Sequence, residues 1–175
     1  LGLNQNVVDG IARRSGNPRF ALDLYRRFIQ MFGNVVLGID AKLFDAVLQA
    51  HQEKTGVKLA SELTHDTLQQ VINEYKEVVR KETGDEFPDT PKYQLEQAIC
   101  AVFQSWDTRR AIDYRNFNKI PHDLYTAVNI VAMVFGNMDE TSGTGVLFTR
   151  DPSTGEKKLY GEYLVNAQGE DVVAG

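Results

Sequence analysis

The spacing of the apolar residues changes once along this chain, near residue 117, and that change limits its fold more than any other feature. Before it, apolar side chains recur every three or four positions. Phe20, Leu24, Phe28 and Phe32 run beside Ala21, Tyr25 and Ile29; Leu43, Phe44, Val47 and Leu48 follow; then come Leu68, Val71, Ile72, Tyr75, Val78 and Val79. Such spacing lays one apolar stripe along a helix, which must be covered by another element. Boundary residues agree with the stripes. Asn17-Pro18 supplies a cap followed by proline at the first helical position, and Gly33 is expected to stop that helix. Asp40 precedes the second helix, and Thr64 and Gly84 bracket the third. Thr90-Pro91 opens a fourth, with Leu95, Ala98, Ile99, Val102, Phe103 and Trp106 on its inner face, and a short helix over residues 7–14 precedes them all. Ile120-Pro121 closes the helical region.

Beyond it the pattern is that of strands. Residues 126–135 are rich in Val, Ile and Ala, residues 146–149 are β-branched or aromatic, and residues 158–165 alternate. Asp151-Pro152-Ser153-Thr154-Gly155 supplies the reversal that joins the last two as a hairpin. Seven of the fourteen glycines fall in this shorter stretch. The expectation is an α+β chain, with a helical subdomain over residues 1–116 followed by a β-rich portion with antiparallel strands over residues 117–175.

The formal charge of −5 argues against a nucleic-acid or anionic-membrane surface. The longest apolar run, residues 128–135, is far shorter than a membrane helix requires. One cysteine, Cys100, excludes an internal disulfide and reads as a buried bystander in a helix. His51, His65 and His122 share no ligand spacing, so no metal site is expected, and His65 reads as the first residue of a capped helix. Leu1 in place of an initiator Met, with the apolar end of the chain, suggests a piece of a longer protein.

Three segments could carry chemistry. Asp139-Glu140-Thr141-Ser142-Gly143-Thr144-Gly145 combines glycines with hydroxyls, the materials of a loop that turns N–H donors toward phosphate oxygens; with no Lys after the glycines it is not a Walker A loop, and a plain hairpin loop has the same composition. Asn166-Ala167-Gln168-Gly169-Glu170-Asp171-Val172-Val173 leads polar residues into an apolar strand, so that its acids face a ribose or amino group, or else form a solvated turn. Arg109, Arg110, Arg115 and Lys119, with Tyr114 and Phe117, hold an anion or form a solvated face.

The continuous text goes further. Residues 127–138, the Thr141-Ser142-Gly143-Thr144-Gly145-Val146-Leu147-Phe148-Thr149-Arg150-Asp151-Pro152 run, and Asn166-Ala167-Gln168-Gly169-Glu170-Asp171-Val172-Val173-Ala174-Gly175 resemble the nucleotide-binding domain of the pyruvate phosphate dikinase family. The resemblance extends back to Tyr25-Arg26-Arg27-Phe28-Ile29-Gln30-Met31-Phe32-Gly33, and residues 40–89 are its least distinctive part. It implies an ATP-grasp type fold, with this chain supplying a helical insertion and strands of one lobe. It implies ATP with magnesium, and an enzyme that interconverts ATP, phosphate and pyruvate with AMP, pyrophosphate and phosphoenolpyruvate through a phosphohistidine carrier on another domain. On the resemblance, Ser142, Gly143, Thr144 and Gly145 approach the triphosphate, and Glu170, Asp171 and Val172 meet the nucleoside. Met133 would wall the base side or sit in the core. The family's ATP-binding Lys and Arg, its metal-holding acid and its carrier His have no counterpart here, so the chain alone is expected to be inactive. The implied parent is a cytoplasmic or organellar homo-oligomer. A phosphoenolpyruvate synthase-type enzyme is the alternative within the same chemistry, and a surface for docking the carrier domain is the alternative outside it.

Overall fold

The computed structural model describes residues 1–174, leaving the side chains of Glu170 and Ala174 outside the description. Two compact units divide between Asn129 and Ile130.

The first unit is helical, with α1 (Gln5–Ser15), α2 (Pro18–Val35), α3 (Ala41–Thr55), α4 (His65–Thr83), α5 (Pro91–Ser105) and α6 (Arg109–Asn118). The starts follow the caps. Asn4 accepts from the Val7 N–H, Asn17 from the Phe20 N–H, Asp40 from the Lys42 N–H and Thr64 from the Thr67 N–H, each satisfying a donor that the first helical turn leaves orphaned. Gly16, Gly56 and Gly84 end α1, α3 and α4 in the left-handed region. The core lies between α2 and α4, with α1 and α3 packed alongside. Tyr25, Ile29, Phe44, Leu68, Val71, Ile72 and Tyr75 are buried in it, and each large apolar side chain contributes about 1.5–3 kcal/mol relative to exposure.

Gly33 departs from expectation. It lies inside α2, which runs on to Val35, and a Cβ there would stand 2.5 Å from Cζ of Phe44. The glycine is a notch for the Phe44 ring, which also meets Tyr75 edge to face at 5.0 Å. The reversal falls to Gly38 instead (φ 73°).

Helix α5 also differs from its pattern. Val102 and Phe103 are exposed, and Gln94 is its one buried residue. Gln94 accepts from the Gly2 N–H (2.8 Å) and donates to the carbonyls of Leu3 (2.9 Å) and Pro88 (2.8 Å), pinning the start of α5 to the N-terminal segment. Cys100, expected to be buried, is exposed on this helix.

In the second unit, β1 (Gly143–Phe148) and β2 (Tyr160–Val165) pair antiparallel, with Gly143 opposite Val165 and Phe148 opposite Tyr160. The hairpin is the expected one. The Asp151 side chain accepts from the N–H groups of Ser153 (2.8 Å) and Thr154 (3.2 Å), and Gly155 takes the positive φ of 74°. A six-residue helix, α7 (Gly169–Ala174), packs on both strands. Residues 126–135, expected as a strand, have no regular structure. A strand needs a ladder partner, and among the described residues β1 pairs only with β2. Met133 and its neighbours are consequently open, Val134 being 89% exposed.

Candidate functional site

Both candidate segments for nucleotide contact lie in the second unit, and the hairpin decides how each is presented. The glycines of the 139–145 segment do not form a free loop. Gly143, Thr144 and Gly145 are the first half of β1. Neither glycine there has a positive φ. Their lack of a side chain serves close approach: a Cβ on Gly143 would stand 2.9 Å from the Leu164 carbonyl oxygen, and one on Gly145 would stand 2.8 Å from that of Glu162. Gly161 on the other strand is tighter still, 2.4 Å from the Val146 carbonyl.

The register also determines where the peptide groups point. The Asn166 N–H donates to the Ser142 carbonyl (2.8 Å), one step beyond the ladder. Bonding alternates along an antiparallel pair, so Thr144 and Val146 exchange bonds with β2 while Gly143, Gly145 and Leu147 turn their peptide groups to the opposite edge. The glycine pair thus turns its N–H groups to the edge of β1 away from β2, an edge that Gly136 approaches closely, a Cβ there standing 2.7 Å from the Gly143 carbonyl oxygen.

Ahead of the strand, Asp139 organises the turn. One carboxylate oxygen accepts from the Thr141 N–H (2.8 Å), the Thr141 hydroxyl (2.6 Å) and the Ser142 hydroxyl (3.1 Å). These bonds, the Thr141 hydroxyl foremost, hold the Asp139 carboxyl below its ordinary pKa.

The second segment is a helix rather than the expected strand. The Gln168 N–H donates to Asp171 Oδ2 (2.8 Å) and the Asp171 N–H returns to the Gln168 carbonyl (3.0 Å). This reciprocal cap at Gln168 starts α7 and outweighs the β preference of Val172-Val173. Val172 is half-buried and Val173 exposed. The Glu170 side chain lies outside the described residues.

Three consecutive residues, 166–168, tie the second segment to residues 136–142. Asn166, itself at φ 51°, donates through Nδ2 to Glu140 Oε1 (2.8 Å) as well as through its N–H to Ser142. The Ala167 N–H donates to the Gly136 carbonyl (2.9 Å), and Gln168 Nε2 donates to Asn137 Oδ1 (3.1 Å). Gly136 must be glycine, because a Cβ would stand 2.4 Å from the Ala167 carbonyl oxygen. Ala167 and Gln168 are the buried residues of this unit among those described. The sequence reading named Glu140, Asn166 and Gln168 only as members of these segments and gave Asn137 no role of its own, since only the hairpin register makes them neighbours.

Two of the four cations of the basic segment are engaged within the helical unit. The Arg115 guanidinium stacks on the Trp106 ring (3.9 Å), donates to the Trp106 carbonyl (2.6 Å) and donates through Nε to His122 Nδ1 (3.0 Å). His122 is therefore the Nε2–H tautomer, which points at Asn116 Oδ1 (3.1 Å). Arg109 pairs with Asp113 (2.9 Å). His51 is buried against Glu74 (2.9 Å), and His65 opens α4 as expected. No group of three or more His, Cys, Asp or Glu among the described residues is arranged to hold a metal ion. No helix among them is long and apolar enough to cross a membrane.

Comparison with known proteins follows the same residues. A family model described as the AMP/ATP-binding domain of pyruvate phosphate dikinase matches residues 30–175. Over its whole length the chain is 60% identical to the chloroplastic pyruvate, phosphate dikinase of Mesembryanthemum crystallinum, of which it covers 18%. It is 56% identical to the pyruvate, phosphate dikinase of Clostridium symbiosum, covering 20%, and 58% identical to the chloroplastic pyruvate, phosphate dikinase 1 of Arabidopsis thaliana, covering 18%. The chain spans about a fifth of the length of these curated relatives.

Proposed function

The chain belongs to the pyruvate phosphate dikinase family, and from that premise we propose that it is one wall of the ATP site in a larger dikinase. That enzyme interconverts ATP, phosphate and pyruvate with AMP, pyrophosphate and phosphoenolpyruvate through a phosphohistidine carried on another domain. The observation that carries the reading is the direct junction between the 139–145 and 166–172 segments, made by Asn166 with Glu140 and Ser142. A nucleotide has a polyanionic end and an aromatic end, and a site for it needs donors and an apolar or acidic surface held at a fixed separation.

In this reading Ser142, Gly143, Thr144 and Gly145 meet the phosphates. The peptide N–H groups of Gly143 and Gly145, turned away from β2, supply donors without a side chain in the way. The Ser142 hydroxyl leaves Asp139 for a phosphate oxygen, a stronger charge at the same donor. Glu170, Asp171 and Val172 meet the nucleoside, the acids accepting from sugar or base and Val172 lying against the ring. Magnesium would accompany the ATP, the metal-holding acid that the resemblance implies having no counterpart in this chain. Transfer to a carrier histidine divides one double transfer into separate displacements. None of His51, His65 or His122 is that carrier: the first is buried against Glu74, the second is the first residue of α4 and pairs with Asp66, and the third is engaged by Arg115.

The parent is read as a homo-oligomer of the cytoplasm or an organelle. The docking alternative depends on cations between residues 109 and 119, and the inward commitment of Arg115 weakens it. The test is an amide NMR titration with ATP and excess Mg²⁺, on this chain and on a longer polypeptide extended at both ends. Shifts at Thr144 and Val172 in the longer polypeptide, with weak or no binding by the chain alone, are the expected result. Binding by the longer polypeptide that leaves both segments unmoved would overturn the assignment, and dikinase turnover by the chain alone would overturn its reading as one wall.

A further inference from the structure

We propose that the strap Asn166-Ala167-Gln168 is a positioning element that fixes the phosphate segment relative to the nucleoside segment, with Gln168 as the residue on which it depends. The proposal rests on the nucleotide reading above and adds residues that touch neither end of the ligand.

Its basis is where burial and bonding concentrate. In a unit whose strand residues are largely open, the side chains shut away from water among the described residues are Ala167 and Gln168, the latter 8% exposed. A buried amide is retained at a cost unless its hydrogen bonds are made. Gln168 makes them in two directions. Its side-chain Nε2 donates to Asn137 Oδ1 (3.1 Å), two residues ahead of the phosphate segment, and its backbone N–H donates to Asp171 Oδ2 (2.8 Å), inside the nucleoside segment. One residue therefore ties the lead-in of the phosphate segment to the start of α7.

Asn166 supplies the second tie. It occupies the left-handed region, which Asn tolerates better than most residues, and from there it holds Ser142 by its N–H and Glu140 by its Nδ2. Strain at that residue is retained because the two bonds require it. With both ties in place, movement of the 139–145 turn displaces the start of α7, and the reverse. A ligand that engages both segments gains from the strap. A ligand that engages only the nucleoside segment does not, because the phosphate turn need not be held for it.

The test compares ATP, with excess Mg²⁺, against adenosine by calorimetry on the full-length polypeptide that carries this chain. Gln168→Met removes the amide at nearly constant length. Asn166→Asp keeps the backbone conformation accessible but sets one carboxylate against Glu140. Each variant is expected to weaken ATP binding about tenfold, the size of one lost hydrogen bond to a constrained partner, while adenosine changes less than about twofold. Combining Asn166→Asp with Glu140→Gln restores a donor–acceptor pair with the roles exchanged and should recover ATP affinity, which a general loss of structure would not do. Equal weakening of ATP and adenosine, unchanged ATP affinity in both variants, or no recovery in the double variant would each overturn the strap. Absence of ATP and adenosine binding by the unaltered polypeptide would instead defeat the nucleotide reading and, with it, this proposal; the two failures are told apart before any variant is made.

Discussion

Tyr25 has its side chain in the helical core, where burial first and the Asp89 charge second push its phenol up to about 12. An unfolded tyrosine ionises near 10. Between those values the unfolded chain releases a proton that the folded chain keeps, so the folded state loses stability as pH rises through that window and is unaffected below it. Urea midpoints measured at pH 9, 10.5 and 11.5 should fall along that series, and Tyr25→Phe should flatten the decline. Asp23 is the second decisive residue of this unit. Its carboxylate accepts from Arg26 Nε (2.9 Å) and Arg27 Nε (3.1 Å), and Arg26 is buried. Arg26 also donates to Gln30 (3.1 Å), which receives the Tyr75 hydroxyl (3.3 Å) and donates to Asp45 (2.8 Å). Asp23→Ala strands a buried guanidinium and should destabilise the unit by about 3 kcal/mol in urea unfolding, whereas Arg27→Ala, at the half-buried and more accessible of the two arginines, should cost about 1 kcal/mol.

Helix α2 shows why an element is more than its propensities. Gly33→Ala would ordinarily favour a helix interior by about 1 kcal/mol, yet the added methyl meets the Phe44 ring. Overpacking of this kind costs about 1–3 kcal/mol. We expect a net loss of about 1–2 kcal/mol by thermal unfolding, and partial recovery when Phe44→Leu is added. The same glycine illustrates what the sequence conveys. Caps at Asn17, Asp40 and Thr64 are local chemistry, and the first three long helices follow from them and their stripes. The function of Gly33 depends on a ring eleven positions away and is invisible locally. The bareness of the later part of α5 depends on packing partners in the same way, whereas α6 starts at a local cap, the Thr108 hydroxyl accepting from the Ala111 N–H, that the apolar pattern alone did not reveal. In the second unit the turn at Asp151 was legible, because an Asp, a Pro and a Gly within five residues dictate a reversal. The fate of residues 126–135 was not, because β propensity describes fitness for a ladder and says nothing of whether a partner is present. Of the candidate site, the segments were legible as text and the strap between them was not. Asn137 and Gln168 are thirty-one residues apart, and nothing in either neighbourhood points to the other.

At the scale of the molecule the two units are built to different standards. The first closes a core around α2 and α4, and its internal hydrogen bonds reach back to its own N-terminal segment through Gln94. The second has a hairpin, a short helix and the strap, with Tyr163, Leu164, Val165 and Leu147 all open to water. A sheet of two strands is marginal without a covered face, so most of what keeps this unit ordered is backbone pairing and the strap bonds. For this chain in isolation, cooperativity is therefore not a single property. Heating should release the second unit over a broad, low-enthalpy interval before the sharp transition of the helices. Scanning calorimetry should then return a total enthalpy larger than the van 't Hoff value of the main peak, whereas coincident values with one symmetric peak would show that the units melt together. A single melting temperature would describe the helical unit alone, and a stabilising ligand of the second unit would reveal itself by merging two transitions into one.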